Sequence, residues 1–236
     1  MSEMDAYKKL LDIDHIGVAD LSPYQEDIRA EFGDAVCGYP RSVSLGITLP
    51  HAILDQLGER DDQPASHNYR FHAYDVINDR LNVAASRLTS ELQRSGVLAL
   101  PIPASQTVDD GRLYSAFSHK MGAHLAGLGW IGKSCMLITP QFGPRVRWAT
   151  VLTNATLAAT GEAQPEKCAG CTRCIDICPV QAYTGRPFQL GEPRHLRFDV
   201  DICKAYLNKR EDTYGVSVCG KCLIVCPFGY RKKQVA

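Results

Sequence analysis

The sequence predicts an α+β protein followed by a small cysteine-rich domain, with residues 1–160 forming the first part and 161–236 the second. Three observations predict it. Helical and strand-like patterns alternate irregularly over the first 160 residues. Eight of the ten cysteines lie after residue 167. Between the two regions, Thr160–Lys167 (TGEAQPEK) has the composition of a linker.

Each element follows from its local pattern. Residues 4–12 predict a short amphipathic helix, and HIGVA predicts the strand after it. FGDAVCGYPRS reads as loop. SVSLGITL (Ser42–Leu49) alternates and is rich in β-branched residues, so it reads as a strand. A long loop, LGERDDQPASHN, leads to a helix from Tyr69 to Arg94 with Ile77, Leu81, Ala84 and Leu88 on one face. Gly96 ends that helix and VLALPIP returns as a strand. Residues 113–126 (LYSAFSHKMGAHLA) predict a helix with Leu113, Phe117, Met121 and Leu125 on a core-facing stripe. Two strands, Cys135–Thr139 and Val146–Thr153, flank the turn-like PQFGPR.

At 236 residues, 45% hydrophobic and 22% charged, the chain has the means to bury one sizeable core and a small appended domain. The opening residues MSEMDAYKKLLDIDH carry charge throughout, unlike a signal or transit peptide. No apolar run approaches the roughly 18 residues that a membrane-spanning helix needs. The expectation is a cytoplasmic protein with no membrane partner. Net charge is zero but uneven: residues 1–112 hold 18 acids against 10 bases, while no acid occurs from Leu113 to Gly161. That acid-free segment carries Lys120, Lys133, Arg145 and Arg147, and suits an anionic cofactor or substrate. From Cys168 onward 11 bases face 6 acids, a surplus that suits an acidic electron donor or a solvated face.

The cysteines carry the strongest chemistry. Cys168-x2-Cys171-x2-Cys174-x3-Cys178-Pro179 is the bacterial ferredoxin run, in which three thiolates grip one cubane and the fourth serves the other. The second run, Cys219-x2-Cys222-x3-Cys226-Pro227, lacks its leading cysteine, and Cys203 is the spare thiol nearby. The exchange predicts Cys168, Cys171, Cys174 and Cys226 around one 4Fe–4S cluster. Cys178, Cys203, Cys219 and Cys222 are then predicted around a second. Zinc, held by paired C-x2-C knuckles, is the alternative, but it does not explain two C-x2-C-x3-C-P tails. Cys37 and Cys135 read as small buried apolar residues.

Gly127–Ser134 (GLGWIGKS) fits both the dinucleotide and the P-loop patterns letter by letter. Its context fits neither, because a helical pattern leads in and a strand leads out. No Asp or Glu between Arg112 and Glu162 serves a ribose or magnesium. Gly127 or Gly129 is expected to end the helix in a left-handed turn that leaves backbone amides and Lys133 facing a ligand.

His124–Pro140 (HLAGLGWIGKSCMLITP) resembles the signature of the epoxyqueuosine reductases. The segment through Val151–Thr153, the two cysteine runs and the lone cysteine between them are similar as well. Weaker likeness extends upstream through HIGVA, SVSLGI and the Tyr69–Arg94 helix. The resemblance implies a cobalamin-dependent iron–sulphur reductase related to reductive dehalogenases. Its first domain would be nitroreductase-like and bind cobalamin without a protein axial ligand. Its second would be ferredoxin-like, with two 4Fe–4S clusters. It implies a short form as well, since ten residues follow Cys226 and the family's C-terminal helical-repeat domain needs more. The family's catalytic aspartate falls at Leu113, so the candidate proton donors are Asp110, Tyr114, His119 and Lys120, with Asp109 beside the first. The candidate cofactor-binding residues are Gly127, Gly129, Trp130, Gly132, Lys133 and Arg147.

The leading expectation is an oxidoreductase that passes electrons from two clusters to a corrinoid, which reduces a small-molecule or modified-nucleoside substrate. A flavodoxin or ferredoxin is the expected low-potential donor. The neutral charge balance and the lack of a basic tail argue against tRNA as the preferred partner. The alternative is a ferredoxin-type electron carrier, or a reductive activator of a corrinoid protein, without substrate chemistry of its own.

Overall fold

The computed structural model describes residues 3–58, 63–105 and 115–229, and the chain divides into two compact units. The first comprises residues 1–47, 76–129 and 147–165; the second comprises 48–75, 130–146 and 166–236. Elements are numbered in chain order. Among the described residues, no helix is long and apolar enough to cross a membrane.

The first unit is a mixed helix-and-sheet layer. It holds α1 (Glu3–Leu11), β1 (His15–Asp20), α2 (Gln25–Phe32), β2 (Arg41–Thr48), α5 (Ile77–Arg94), β3 (Ala99–Ile102), α6 (His119–Leu125) and β6 (Val146–Thr153). The sheet order is β1-β2-β6-β3. β1 runs antiparallel to β2 with Val18 opposite Val43, and β3 runs antiparallel to β6 with Leu100 opposite Leu152. β2 and β6 are central and almost wholly buried, so their Val, Leu and Ile side chains form the sheet's core. Each such burial contributes about 1.5–3 kcal/mol.

Boundaries differ from expectation in three places. The helix expected from Tyr69 is part of a longer helical run: α4 (Gln63–Arg70), a π-helical turn over Phe71–Val76, then α5. QPASHN is therefore helix and not loop. Its buried residues are the small Ala65 and Ser66, which leave no apolar periodicity to detect. The helix expected over 113–126 begins at His119. Ser118 caps it, its hydroxyl accepting the Met121 N–H, and Phe117 is buried just before the cap. The strand expected over Cys135–Thr139 shrinks to Leu137–Ile138, with Thr139 bridging to Gly143 instead. α2 has no counterpart in the sequence reading, because Ile28 is its sole buried residue.

Gly127 ends α6 as the glycine C-cap reading requires. Its φ is +77°, its N–H donates to His124 O at 3.0 Å, and the Leu128 N–H donates to Ala123 O at 3.0 Å. These two bonds make a Schellman turn. A Cβ at Gly127 would lie 3.0 Å from the Gly161 Cα and the Glu162 N. The Thr160 end of the linker-like stretch is thus packed down. The Val18 N–H donates to Thr160 Oγ1 at 3.0 Å, and the Gln164 amide donates to Gly127 O at 2.6 Å.

His119 ties α6 to the sheet. Its Nε2 lies 3.1 Å from the Pro103 carbonyl, which accepts only, so Nε2 carries the hydrogen and Nδ1 accepts from the Thr150 hydroxyl at 2.9 Å. Burial pushes its pKa down to about 4, with the Pro103 bond opposing and the Arg147 and Lys120 charges adding to the fall. An unfolded histidine, near 6.5, then binds the proton more tightly than the folded one. This contribution to stability is complete above that value and is lost as pH falls toward 4. Between pH 7 and about 5 the loss is expected to be about 2 kcal/mol. Urea midpoints at the two pH values check it: the pH dependence should shrink in His119→Gln, and an unchanged slope would refute the assignment.

The second unit holds α3 (His51–Gln56), α4, β4 (Trp130–Ile131), β5 (Leu137–Ile138), α7 (Arg173–Asp176), α8 (Val200–Tyr214) and α9 (Lys221–Ile224). β4 and β5 pair antiparallel, with Trp130 opposite Ile138. The two cysteine runs each wind into a one-turn helix, α7 and α9, and these pack together. Asp199 caps α8 by accepting the Asp201 and Ile202 N–H groups at 3.1 and 3.0 Å, and Gly215 (φ +73°) ends it.

Candidate metal centres

The eight clustered thiols fall into two interacting sets. Burial raises the Cys174 pKa to about 11, and the charges of Cys168, Cys171 and Cys226 add to the rise. Cys226 is raised by burial and by Cys171, against its bonds from the Phe228 and Gly229 amides and the Arg145 charge. In the other set, burial raises Cys222 to about 12, with Cys219, Cys203 and Cys178 adding. Cys203 rises to about 11 by burial and then by Cys178 and Cys219. Each set therefore draws thiols from both runs. Among the described residues, no three His, Cys, Asp or Glu side chains converge on a point that one metal ion could fill. A cubane makes a different demand, since its four thiolates sit on four separate irons.

Buried thiols resist ionisation without a cation or donors nearby. The first set finds these in GLGWIGKS. The Cys168 thiol is raised by burial and pushed up further by Glu166, while the Lys133 amide pulls it back. A Cβ on Gly132 would lie 3.2 Å from the Cys168 sulphur and 2.9 Å from Ile138, so glycine admits the thiol. The Lys133 ammonium donates to the carbonyls of Ala169, at 2.6 Å, and Cys171, at 3.4 Å. Trp130 meets the Phe228 ring edge-on at 4.7 Å, and Lys167 lies over its face at 5.2 Å.

Each set also has a buried arginine beside it. Arg145, 2% exposed, donates to Asp55 Oδ1 at 2.8 Å and to His51 Nδ1 at 3.1 Å. It lowers the Cys226 pKa. Arg210 donates to Val218 O at 2.6 Å and Ser66 Oγ at 3.2 Å, and lowers Cys219. The Tyr183 hydroxyl donates to the Cys222 sulphur at 3.2 Å, and the Ala182 N–H to the Cys178 sulphur at 3.4 Å. Burial, then the Cys222 charge, pushes the Tyr183 hydroxyl well above its usual range, so it stays a donor.

The other sequence-derived site residues lie as follows. Asp109, Asp110, Leu113 and Tyr114 fall outside the described residues. His119 has both ring nitrogens engaged within its own unit. Lys120 is half-buried near it, on the first turn of α6. Gly129 lies in the turn after α6, its carbonyl 3.0 Å from His124 Nδ1. Arg147 donates to Asn78 Oδ1 at 3.0 and 3.1 Å and to the Ser105 hydroxyl. The expectation that the acid-free segment aims its cations at an anion therefore changes. Lys133, Arg145 and Arg147 are bonded to the protein's own carbonyls, carboxylate and amide. Sequence reasoning missed Tyr183 and Arg210, and named Arg145 only as one cation of the acid-free segment. No spacing pattern announces them, because their partners lie far away in the chain or belong to a different local motif.

Residues 167–229 match the family described as a 4Fe-4S double cluster binding domain. Across 94% of its length the chain is 29% identical to an epoxyqueuosine reductase of Bacillus cereus, covering 62% of that protein. A crystal structure of selenomethionine-labelled epoxyqueuosine reductase aligns over 96% of this chain and 64% of its own, with TM-score 0.61 at 20% identity. A reductive dehalogenase, whose structure suggests a mechanism for B12-dependent dehalogenation, aligns over 98% of this chain and 32% of its own. Its TM-score is 0.65 at 18% identity. The chain thus spans less than two thirds of the length of these relatives.

Proposed function

Because the chain is a homologue of the epoxyqueuosine reductases and carries a 4Fe-4S double cluster binding domain, we propose that it is an iron–sulphur oxidoreductase of that type. The observation that carries the reading is the match of residues 167–229, which contain all eight clustered cysteines, to the 4Fe-4S double cluster binding domain. In this reading Cys168, Cys171, Cys174 and Cys226 hold one cluster, and Cys178, Cys203, Cys219 and Cys222 hold the other. The clusters would supply one-electron steps at low potential. The chain's own contribution is to bury the thiolates, to offset their charge with Arg145 and Arg210, and to fix the first loop through Lys133. Reduced thiols in such number suit the cytoplasm.

A cobalamin in the first unit, which would be nitroreductase-like, is the proposed electron acceptor. The likeness to the B12-dependent reductive dehalogenase supports it. Low-valent cobalt would supply the reductive chemistry. Gly127, Gly129 and Lys120 are its proposed neighbours, with Asp110, Tyr114 or Lys120 as proton donor. The substrate class is a small molecule or a modified nucleoside. One related structure contains an epoxyqueuosine-modified tRNA stem loop, which brings tRNA into the test. A flavodoxin or ferredoxin is the proposed donor.

Anaerobic reconstitution with iron and sulphide, followed by absorption and electron paramagnetic resonance spectra with and without cobalamin, tests the reading. Two cluster signals and a changed cobalt spectrum are expected. Two clusters without cobalt binding would favour the electron-carrier alternative, and epoxyqueuosine-containing tRNA then serves as the substrate trial.

A further inference from the structure

We propose that Tyr183 sets the reduction potential of the cluster held by Cys178, Cys203, Cys219 and Cys222, raising it through the hydrogen bond to the Cys222 sulphur. The proposal rests on the cluster assignment above and concerns a residue outside the ligand set.

Three features hold the hydroxyl in place. The Tyr183 ring is buried, and it stacks on Phe198 with centroids 5.0 Å apart and planes 18° from parallel. The backbones of Tyr183 and Phe198 form an antiparallel bridge, and the Asp199 N–H donates to Ala182 O at 2.8 Å. Ring and main chain thus fix where the hydroxyl points, and it points at a sulphur 3.2 Å away. Cys222 is itself half-buried, which limits the competition from water for that sulphur.

Reduction adds one negative charge to a cluster and its thiolates. A donor aimed at a ligand sulphur stabilises the reduced state more than the oxidised one, and more strongly where the surroundings are apolar. The nearby Arg210 guanidinium acts in the same direction on Cys219, but it is anchored to Val218 and Ser66 and has a structural duty as well. The Tyr183 hydroxyl is the cleaner handle. Phenylalanine keeps the ring, the stack on Phe198 and the backbone bridge, and removes only the donor. The first cluster has the Lys133 amide at Cys168, and it is untouched by this change. Tyr183 is therefore a positioning residue for charge, acting on one cluster.

The test uses the full chain, reconstituted anaerobically, with iron and acid-labile sulphide counted first. Dithionite titrations followed by electron paramagnetic resonance then give both midpoints. In Tyr183→Phe one signal should become up to about tenfold harder to reduce, which for a one-electron couple is about 59 mV lower, while the other stays. The shifting signal should be the one that disappears in Cys178→Ala. Two unchanged midpoints at full iron content overturn the proposal. Should Tyr183→Phe lose iron, the unmodified chain grown on 3-fluorotyrosine decides the matter. Its more acidic phenol is a stronger donor and should move that midpoint upward, and no upward shift overturns the proposal. Iron and sulphide too low for two clusters in the unmodified chain would count against the cluster assignment instead.

Discussion

Replacing Cys178 by alanine is expected to abolish the cluster of Cys203, Cys219 and Cys222, and to spare the cluster built on its own run. About half of the bound iron should be lost. The expectation runs against sequence proximity, because Cys178 is four residues from Cys174 and far from Cys203. The reason is geometric. After the Arg173–Asp176 turn, the Cys178 sulphur accepts the Ala182 N–H, and its charge acts on Cys203, Cys219 and Cys222. Cys174 instead acts with Cys168, Cys171 and Cys226. Iron analysis and paramagnetic resonance on Cys178→Ala and Cys174→Ala check the exchange. The two variants should lose different signals. Loss of the same signal from both would mean that each run serves one cluster alone.

Gly143→Ala is expected to be the most damaging single substitution outside the cysteines. Gly143 has φ +56°, a left-handed conformation that costs an L-residue about 1–2 kcal/mol. Its position allows no Cβ. The added carbon would lie 2.8 Å from the Gly229 Cα and the Phe228 C, and closer still to the Gly229 N. Those are backbone atoms, so no side-chain rotation relieves the overlap. The turn must move, and it is the turn that carries Cys226-Pro-Phe-Gly past Arg145. Left-handed strain and overpacking together should cost about 3 kcal/mol, or roughly 10 °C in melting temperature for a chain of this size. Iron bound at the set containing Cys226 should fall in parallel. A melting curve within about 2 °C of the unmodified protein would show that the two turns are free to separate.

The legible part of the fold follows from pattern strength. SVSLGITL is readable as a strand because alternation and β-branched residues are a local signal, HIGVA and Val146–Thr153 are short runs rich in apolar residues, and the strands at 15–20, 41–48 and 146–153 agree. The Gly127 turn was readable because a left-handed C-cap selects glycine. α4 escaped because its first turns bury only alanine and serine ahead of Tyr69, and a π-turn joins it to α5 without a sequence break. α6 starts later than its spacing predicts, because Leu113 and Phe117 continue its stripe in the sequence, whereas Ser118 caps the helix and Phe117 is buried from the loop before it.

GLGWIGKS shows most directly where sequence stops. Its letters suggest phosphate binding and its flanks deny it. Only the folded chain reveals that the Lys133 ammonium is bonded to the Ala169 and Cys171 carbonyls, and that Gly132 stands aside for the Cys168 sulphur. The sequence by itself determined the cysteine runs, and with them the chemistry they suit, because cubane ligation depends on thiols spaced within a single turn. What surrounds those thiols was decided by tertiary structure alone. Lys133 reaches the first set from about 35 residues upstream, Arg145 reaches Cys226 from about 80, and Tyr183 reaches Cys222 from 39. Donors and counter-charges at such separations obey no spacing rule, because packing, not chain connectivity, brings them to the sulphur.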